Sequence, residues 1–285
     1  RKARSEGKHV HIAVVGKYFD TGDFVLSDAY VSVIEALKFS SYSLGVKPVL
    51  HWMSSKQFES DENGKILPPA EIQKRLKTTF GGGYVSEDGE KVKIDGILVP
   101  GGFGETGIEG KIAVIKYARE NGIPYFGICI GLQLAIIEYA RHMCGVTKAT
   151  SREFSNTGEF VIDMMEDQRR VDKLGGSMRL GSYACKIESG SLASKIYRKS
   201  TVTERHRHRY EFNNRYLEKM EKSGFEVTGI MEGGNLCEIA EIQGHPWMVG
   251  VQFHPEFKSK PIAPHPLFHD FIKAMIDHQA KLNGK

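Results

Sequence analysis

Cysteine is scarce in this chain. There are four, Cys129, Cys144, Cys185 and Cys237, and no CxxC pair among them. Zinc-ribbon and zinc-finger spacings are thereby excluded. No apolar run is long enough to span a bilayer, and none near the start resembles a secretory signal. No membrane role is expected, and the four cysteines are expected to be reduced thiols in the cytoplasm. No GxxxxGK[ST] occurs, so a phosphate loop is absent. Nor is there much excess charge: 39 basic against 35 acidic residues give +4, too mild to suggest nucleic acid unless gathered on one face. What is present is ordinary for a globular protein, with 40% hydrophobic residues in 285, enough to bury a core.

The polar, basic start RKARSEGKHV reads as a linker remnant over residues 1–9. One α/β domain is expected over 10–281, with a tail over 282–285 and no second hydrophobic core. Val10–Val15 reads as a buried first strand and Lys47–Met53 as a second strand, with a helix over Asp28–Phe39 between them. After a polar stretch with a short helix near Glu71–Lys77, the pattern sharpens. Ile94–Pro100 and Ile123–Ile128 are strands, Glu109–Glu120 is a helix turning Ile112, Ile115 and Ala118 inward, and Leu132–Met143 is a helix turning Leu132, Ile136, Tyr139 and Met143 inward. Further strands are expected at Tyr183–Ile187, Glu226–Ile230, Leu236–Ile242 and Met248–Phe253, with a last helix near Leu267–Ala280. Strands alternating with helices imply a parallel or mixed central sheet with helices on both faces.

Three strand ends carry candidate chemistry. Cys129 follows Ile123–Ile128 and precedes a helix, with Gly127 and Gly131 on either side. A nucleophile at such a turn sits in a strained backbone at a helix N-terminus, where small neighbours let a substrate approach and the dipole favours thiolate. A buried core cysteine would fit the same string. GVQFHPEF ends another strand. If extended backbone persists through Pro255, His254 and Glu256 point to one side, and Glu256 can hold the imidazole that serves the cysteine. PGGFG at Pro100–Gly104 is either a plain strand-to-helix turn or a set of backbone N–H groups aimed at an oxyanion. ERHRHRYEF at Glu204–Phe212 reads as a charged strand rather than a nucleic-acid patch, and an arginine from it could clamp a carboxylate.

PGGFG, GICIGLQ and GVQFHPEF, in this order, resemble the class I glutamine amidotransferase domains of the Cys-His-Glu type. VVGKY with SDAYVSVIEAL, GGSMRLG, ERHRHRYEFN and HPEFKSKP resemble, more narrowly, the CTP synthase family. The resemblance implies a flavodoxin-like glutaminase domain whose nucleophile is Cys129, with His254 as acid/base and Glu256 as its orienter. It implies an oxyanion hole at Gly101, Gly102 and Ile130. Substrate contacts would come from Gly102, Ile130, Gly131, Leu132, Gln133, Glu153 and Arg209. L-glutamine is the implied substrate, and no cofactor or metal is expected in this domain. The full-length family enzyme joins it to an N-terminal synthetase domain, uses ATP and Mg, responds to GTP and assembles as a homotetramer.

Some positions depart from the family pattern. Thr106 stands where an arginine is usual, in a loop the family links to GTP activation. Arg152 stands beside Glu153, in SREF rather than STEF. GICIGLQ replaces GICLGMQ, and Phe19–Leu26 is longer than usual. Two other readings accompany the leading one: a free-standing γ-glutamyl hydrolase with the same triad, and a catalytically silent assembly or regulatory module.

Overall fold

A computed structural model describes residues 8–16, 30–86, 88–102, 106–164 and 178–283. The first strand, β1 (His9–Gly16), turns Val10, Ile12 and Val14 into one buried cluster and Ala13 and Val15 into another. A strand apolar on both faces needs cover on both. Elements α1 (Val31–Ser43), β2 (Lys47–Ser54), α2 (Pro69–Thr78), the hairpin β3 (Tyr84–Val85) and β4 (Lys91–Val92), and β5 (Gly96–Val99) follow. Next come α3 (Ile108–Asn121), β6 (Tyr125–Ile128), α4 (Ile130–His142), β7 (Ala149–Ser151) and β8 (Glu159–Met164). The later part holds β9 (Arg179–Ile187), α5 (Leu192–Tyr197), β10 (Thr201–His208), β11 (Tyr210–Phe212), α6 (Leu217–Glu221), β12 (Phe225–Met231), β13 (Cys237–Ile242), β14 (Met248–Val251) and α7 (Pro266–Asn283).

Among the described residues, nine strands form one sheet in the order β10-β9-β12-β13-β14-β6-β5-β1-β2. From β2 to β14 neighbours are parallel, and from β14 to β10 they are antiparallel. The mixed sheet with helices on both faces is the expected α/β architecture. A three-stranded sheet, β11-β8-β7, packs beside α4. No helix among the described residues is long and apolar enough to cross a membrane.

Several expectations need correction. There are two buried clusters, not one core: α2, α3 and α4 cover one face of the sheet, α1, α5 and α7 the other. They lie on the two faces of one sheet. Met143 is 46% exposed, because α4 ends at His142 and the chain turns away. The other three residues expected to face inward on α4 are buried, as is every residue over 130–140. Strands β5 and β6 are shorter than their apolar runs, and β9 starts earlier, at Arg179. The first helix begins at Val31 and continues to Ser43, and residues 28 and 29 lie outside the described residues. So do residues 1–7, 17–27, 103–105 and 165–177, which take in the long Phe19–Leu26 segment, Gly104 and the start of GGSMRLG. His9 already pairs with Lys47, and α7 reaches Asn283, so the ordered elements overrun the expected limits of 10 and 281.

Candidate active site

Three adjacent parallel strands, β5, β6 and β14, end at one edge. Val99 lies opposite Gly127, and Ile128 opposite Val251. The residues that follow, Gly101-Gly102, Cys129 and His254, therefore meet at the C-terminal edge, where open α/β sheets form sites.

Cys129 has φ 54° and ψ −102°, a positive-φ conformation outside the regions open to ordinary side chains, which a non-glycine residue holds only when its surroundings impose it. Its N–H donates to the Val251 carbonyl at 2.7 Å, and its own carbonyl accepts from Gln133 N at 3.2 Å in the first turn of α4. Gly131 explains part of the GxCxG frame. A Cβ there would lie 2.3 Å from the Val99 carbonyl oxygen, so a side chain would push α4 off the sheet. The glycine serves helix-to-strand contact, not substrate approach as the sequence suggested. Gly101 has the opposite role: its Cβ would meet His254 Cε1 at 2.6 Å, so only glycine leaves the imidazole its place.

His254 and Glu256 do meet, though not along a strand. Strand β14 stops at Val251 and residues Pro255–Lys258 form a 3-10 turn, which brings Glu256 Oε1 to 2.7 Å from His254 Nδ1. The His254 N–H donates to the Arg205 carbonyl at 2.8 Å, tying the turn to β10. Phe257 stacks on the imidazole, centroids 5.4 Å apart. Burial acts to lower the His254 pKa, but hydrogen bonds with Cys129 and Glu256 and their charges outweigh it and raise it to about 10. The imidazolium is thus favoured between two acceptors. Burial raises the other three thiols, Cys144, Cys185 and Cys237.

A cavity of about 320 Å³ opens beside Cys129. Among the expected contacts, Gly102, Ile130, Gln133, Glu153 and Arg209 line it. Gly131 and Leu132 do not: one packs on Val99, the other under Gly250 in the core, 1% exposed. Gly101 borders a smaller space with Gly102, Lys111 and Ile130. Arg209 is the single residue between β10, in the large sheet, and β11, in the small one. Glu153 follows β7 at the edge of the small sheet. One wall of the cavity thus belongs to the small sheet, and the floor to the large one. Arg152 turns away from Glu153: its Nε donates to Asp163 at 2.7 Å and its guanidinium lies over Phe160.

Sequence reasoning missed Met178, Arg207, His208 and Tyr210, which also line the cavity, and Gln252, whose Nε2 is 3.6 Å from Cys129 Sγ. A lone polar residue inside the apolar GVQF run was the available signal for the last. It also missed a buried network behind the wall. Arg179 Nη1 reaches Glu238 at 2.6 Å and Glu211 at 3.4 Å. His206 lies 2.9 Å from both Glu238 and His208. Burial drives His208 towards its neutral form and raises Glu211 to about 8. The two histidines belong to β10, along which Glu204, His206 and His208 face inward and Arg205 and Arg207 outward.

The family described as "Glutamine amidotransferase class-I" matches residues 25–274. A CTP synthase of Symbiobacterium thermophilum is 48% identical over 281 residues, and one of Aquifex aeolicus 46% over 279; each alignment covers 98% of this chain. Those alignments cover 47% and 46% of the relatives, so the chain spans about half the length of the curated relatives it matches. Among solved structures, the glutaminase domain of Trypanosoma brucei CTPS with bound acivicin superposes with a TM-score of 0.78 at 34% identity, covering 94% of each chain.

Proposed function

The chain belongs to the class I glutamine amidotransferase family, with the glutaminase domains of CTP synthases, and from this we propose that it hydrolyses L-glutamine to glutamate and ammonia. The observation that carries the reading is the meeting of Cys129, in its strained turn, with a His254 held at 2.7 Å by Glu256 beside an open cavity. The Cys129 thiolate attacks the side-chain amide carbon of glutamine. The oxygen of the tetrahedral intermediate is met by backbone N–H groups at Gly101 or Gly102 and at Ile130, at the start of α4. His254 protonates the nitrogen, the C–N bond breaks and ammonia leaves. Water, losing its proton to His254, then attacks the thioester and releases glutamate. Arg209 takes the α-carboxylate and Glu153 the α-ammonium, each with the charge opposite to its own. Glu256 holds the imidazole.

In the full-length enzyme this ammonia passes to an N-terminal synthetase domain that aminates UTP with ATP and Mg, in a cytoplasmic homotetramer. Glutamine hydrolysis itself consumes neither nucleotide. GTP activation would act through the loop holding Thr106, whose backbone carbonyl accepts from Lys111.

The test is labelling with an electrophilic glutamine analogue, followed by peptide mass mapping. Cys129 should carry the label and Cys144, Cys185 and Cys237 should not, since burial holds those three as thiols. Cys129→Ala should release no ammonia. Dominant labelling at another cysteine would sink the assignment.

A further inference from the structure

Gln252 is 1% exposed and stands against the sulfur of Cys129, its Nε2 3.6 Å from Sγ, within the reach of an N–H donor to a large sulfur atom. An amide beside a sulfur can present either its NH₂ or its oxygen, and the neighbours decide which. Gln133 Nε2 donates to the Tyr210 carbonyl at 2.9 Å and lies 3.2 Å from Gln252 Oε1. A carbonyl accepts only, so Gln133 must present its NH₂ there and must donate to Gln252. Gln252 Oε1 is thereby engaged, and its NH₂ faces the sulfur. Its backbone is also fixed, donating to the Glu238 carbonyl at 2.9 Å.

We infer that Gln252 is a further catalytic residue, donating a hydrogen bond that stabilises the Cys129 thiolate, and that Gln133 positions it by a relay running to the Tyr210 carbonyl. This rests on Cys129 being the nucleophile. The relay ends at Tyr210, the residue after Arg209, so the proposed carboxylate contact and the anchor of the amide that supports the thiolate are adjacent in the chain. With a thiolate, the N–H···S bond gains the strength of a charged acceptor; with a thiol, it is weak. Other titratable and charged groups also face the sulfur or its cavity: His254 with Glu256 behind it, Arg207, His208 and Arg209 from β10 and the residue after it, and Glu153 from the turn after β7. Lys111 of α3 lines the adjoining space. The pH at which the thiol becomes reactive depends on all of them, so the test compares variants in which only the amide changes.

The experiment is the rate of Cys129 alkylation by iodoacetamide as a function of pH, without glutamine. Gln252→Met removes the donor, and Gln252→Glu keeps the shape but sets an oxygen against the sulfur. The pH of half-maximal reactivity should rise by about one unit in the first, the size expected of a hydrogen bond to a charged group, and by more in the second. Gln133→Met should move it in the same direction by less. A purely structural role would lower the rate or the melting temperature without moving the midpoint. If alkylation of the unaltered chain is not selective for Cys129, the proposed function fails. If it is selective and the midpoint stays fixed in both Gln252 variants, the inference alone is overturned. Should one variant fail to fold, the other carries the same comparison.

Discussion

Strand β6 buries Tyr125, Phe126 and Ile128, while β10, at the far edge of the same sheet, turns Glu204, His206 and His208 inward. The parallel half relies on close approach. Apolar strands sandwiched between helices bring backbones near enough that Gly131 touches Val99 and Gly101 touches His254. The antiparallel half relies on buried polar and charged groups, with Arg179 and Glu238 inside, Glu211 of the small sheet against them and two histidines alongside. Buried charge of this kind adds little net stability, yet breaking one member costs much. The difference assigns tasks: backbone precision supports the reacting atoms, and an ordered charge network supports the strand that presents Arg207 and Arg209.

If that division is right, the largest losses of turnover come from the parallel edge. His254→Ala should reduce glutamine hydrolysis by about 10²–10⁴-fold, the range of a positioned acid/base. Glu256→Gln, which keeps an acceptor for Nδ1 but not its charge, should cost less, and steady-state ammonia release ranks the two. The reverse ranking would mean the roles are misassigned.

Gly131→Ala tests close approach without touching a reacting group. With its Cβ 2.3 Å from the Val99 carbonyl oxygen, it should lower stability by about 1–3 kcal/mol, measured by denaturant unfolding, and lower turnover with it. A neutral outcome would remove the steric account of the GxCxG frame.

On the charged side the effects should be on binding. Arg209→Ala should raise KM for glutamine roughly tenfold to a hundredfold, as loss of a charge-assisted contact would, with kcat little changed because the carboxylate does not react. An unchanged KM would free Arg209 from the substrate.

The smallest effect on turnover should come from Glu211→Gln, whose signature is in stability. Burial holds the Glu211 carboxyl near 8 against an ordinary 4.5, despite the opposing pull of Arg179. A group that binds its proton more tightly when folded contributes fully below 4.5, and that contribution is lost as pH rises through about 8. Over this window the variant should flatten the fall in unfolding free energy, by up to about 1.4 kcal/mol per pH unit. Parallel pH curves for the two proteins would refute it.

Apolar periodicity and glycine placement were enough to locate β1, β2, α3, β6, α4, β12, β13 and α7 within a few residues, because each buries a continuous face or stripe that no other pairing would satisfy. The order PGGFG, GICIGLQ, GVQFHPEF likewise marked the three segments that meet at one edge. Polar stretches were less legible. Strands β7 and β8 have little alternation and depend on packing against α4. The inward face of β10 carries charge, so its burial follows from Arg179 and Glu238 on other strands rather than from its own hydrophobicity.

The sequence by itself determined the parallel α/β core and which cysteine, histidine and glutamate stand at strand ends, since local propensity and burial act on residues close in the chain. Only the tertiary structure decided how they meet. A 3-10 turn, not a strand, brings Glu256 to His254. Gly131 serves contact with Val99, and Gln252 reaches Cys129 across 123 positions. Hydrogen-bond partners so distant in sequence are selected by the packing of the sheet, and no local pattern encodes them.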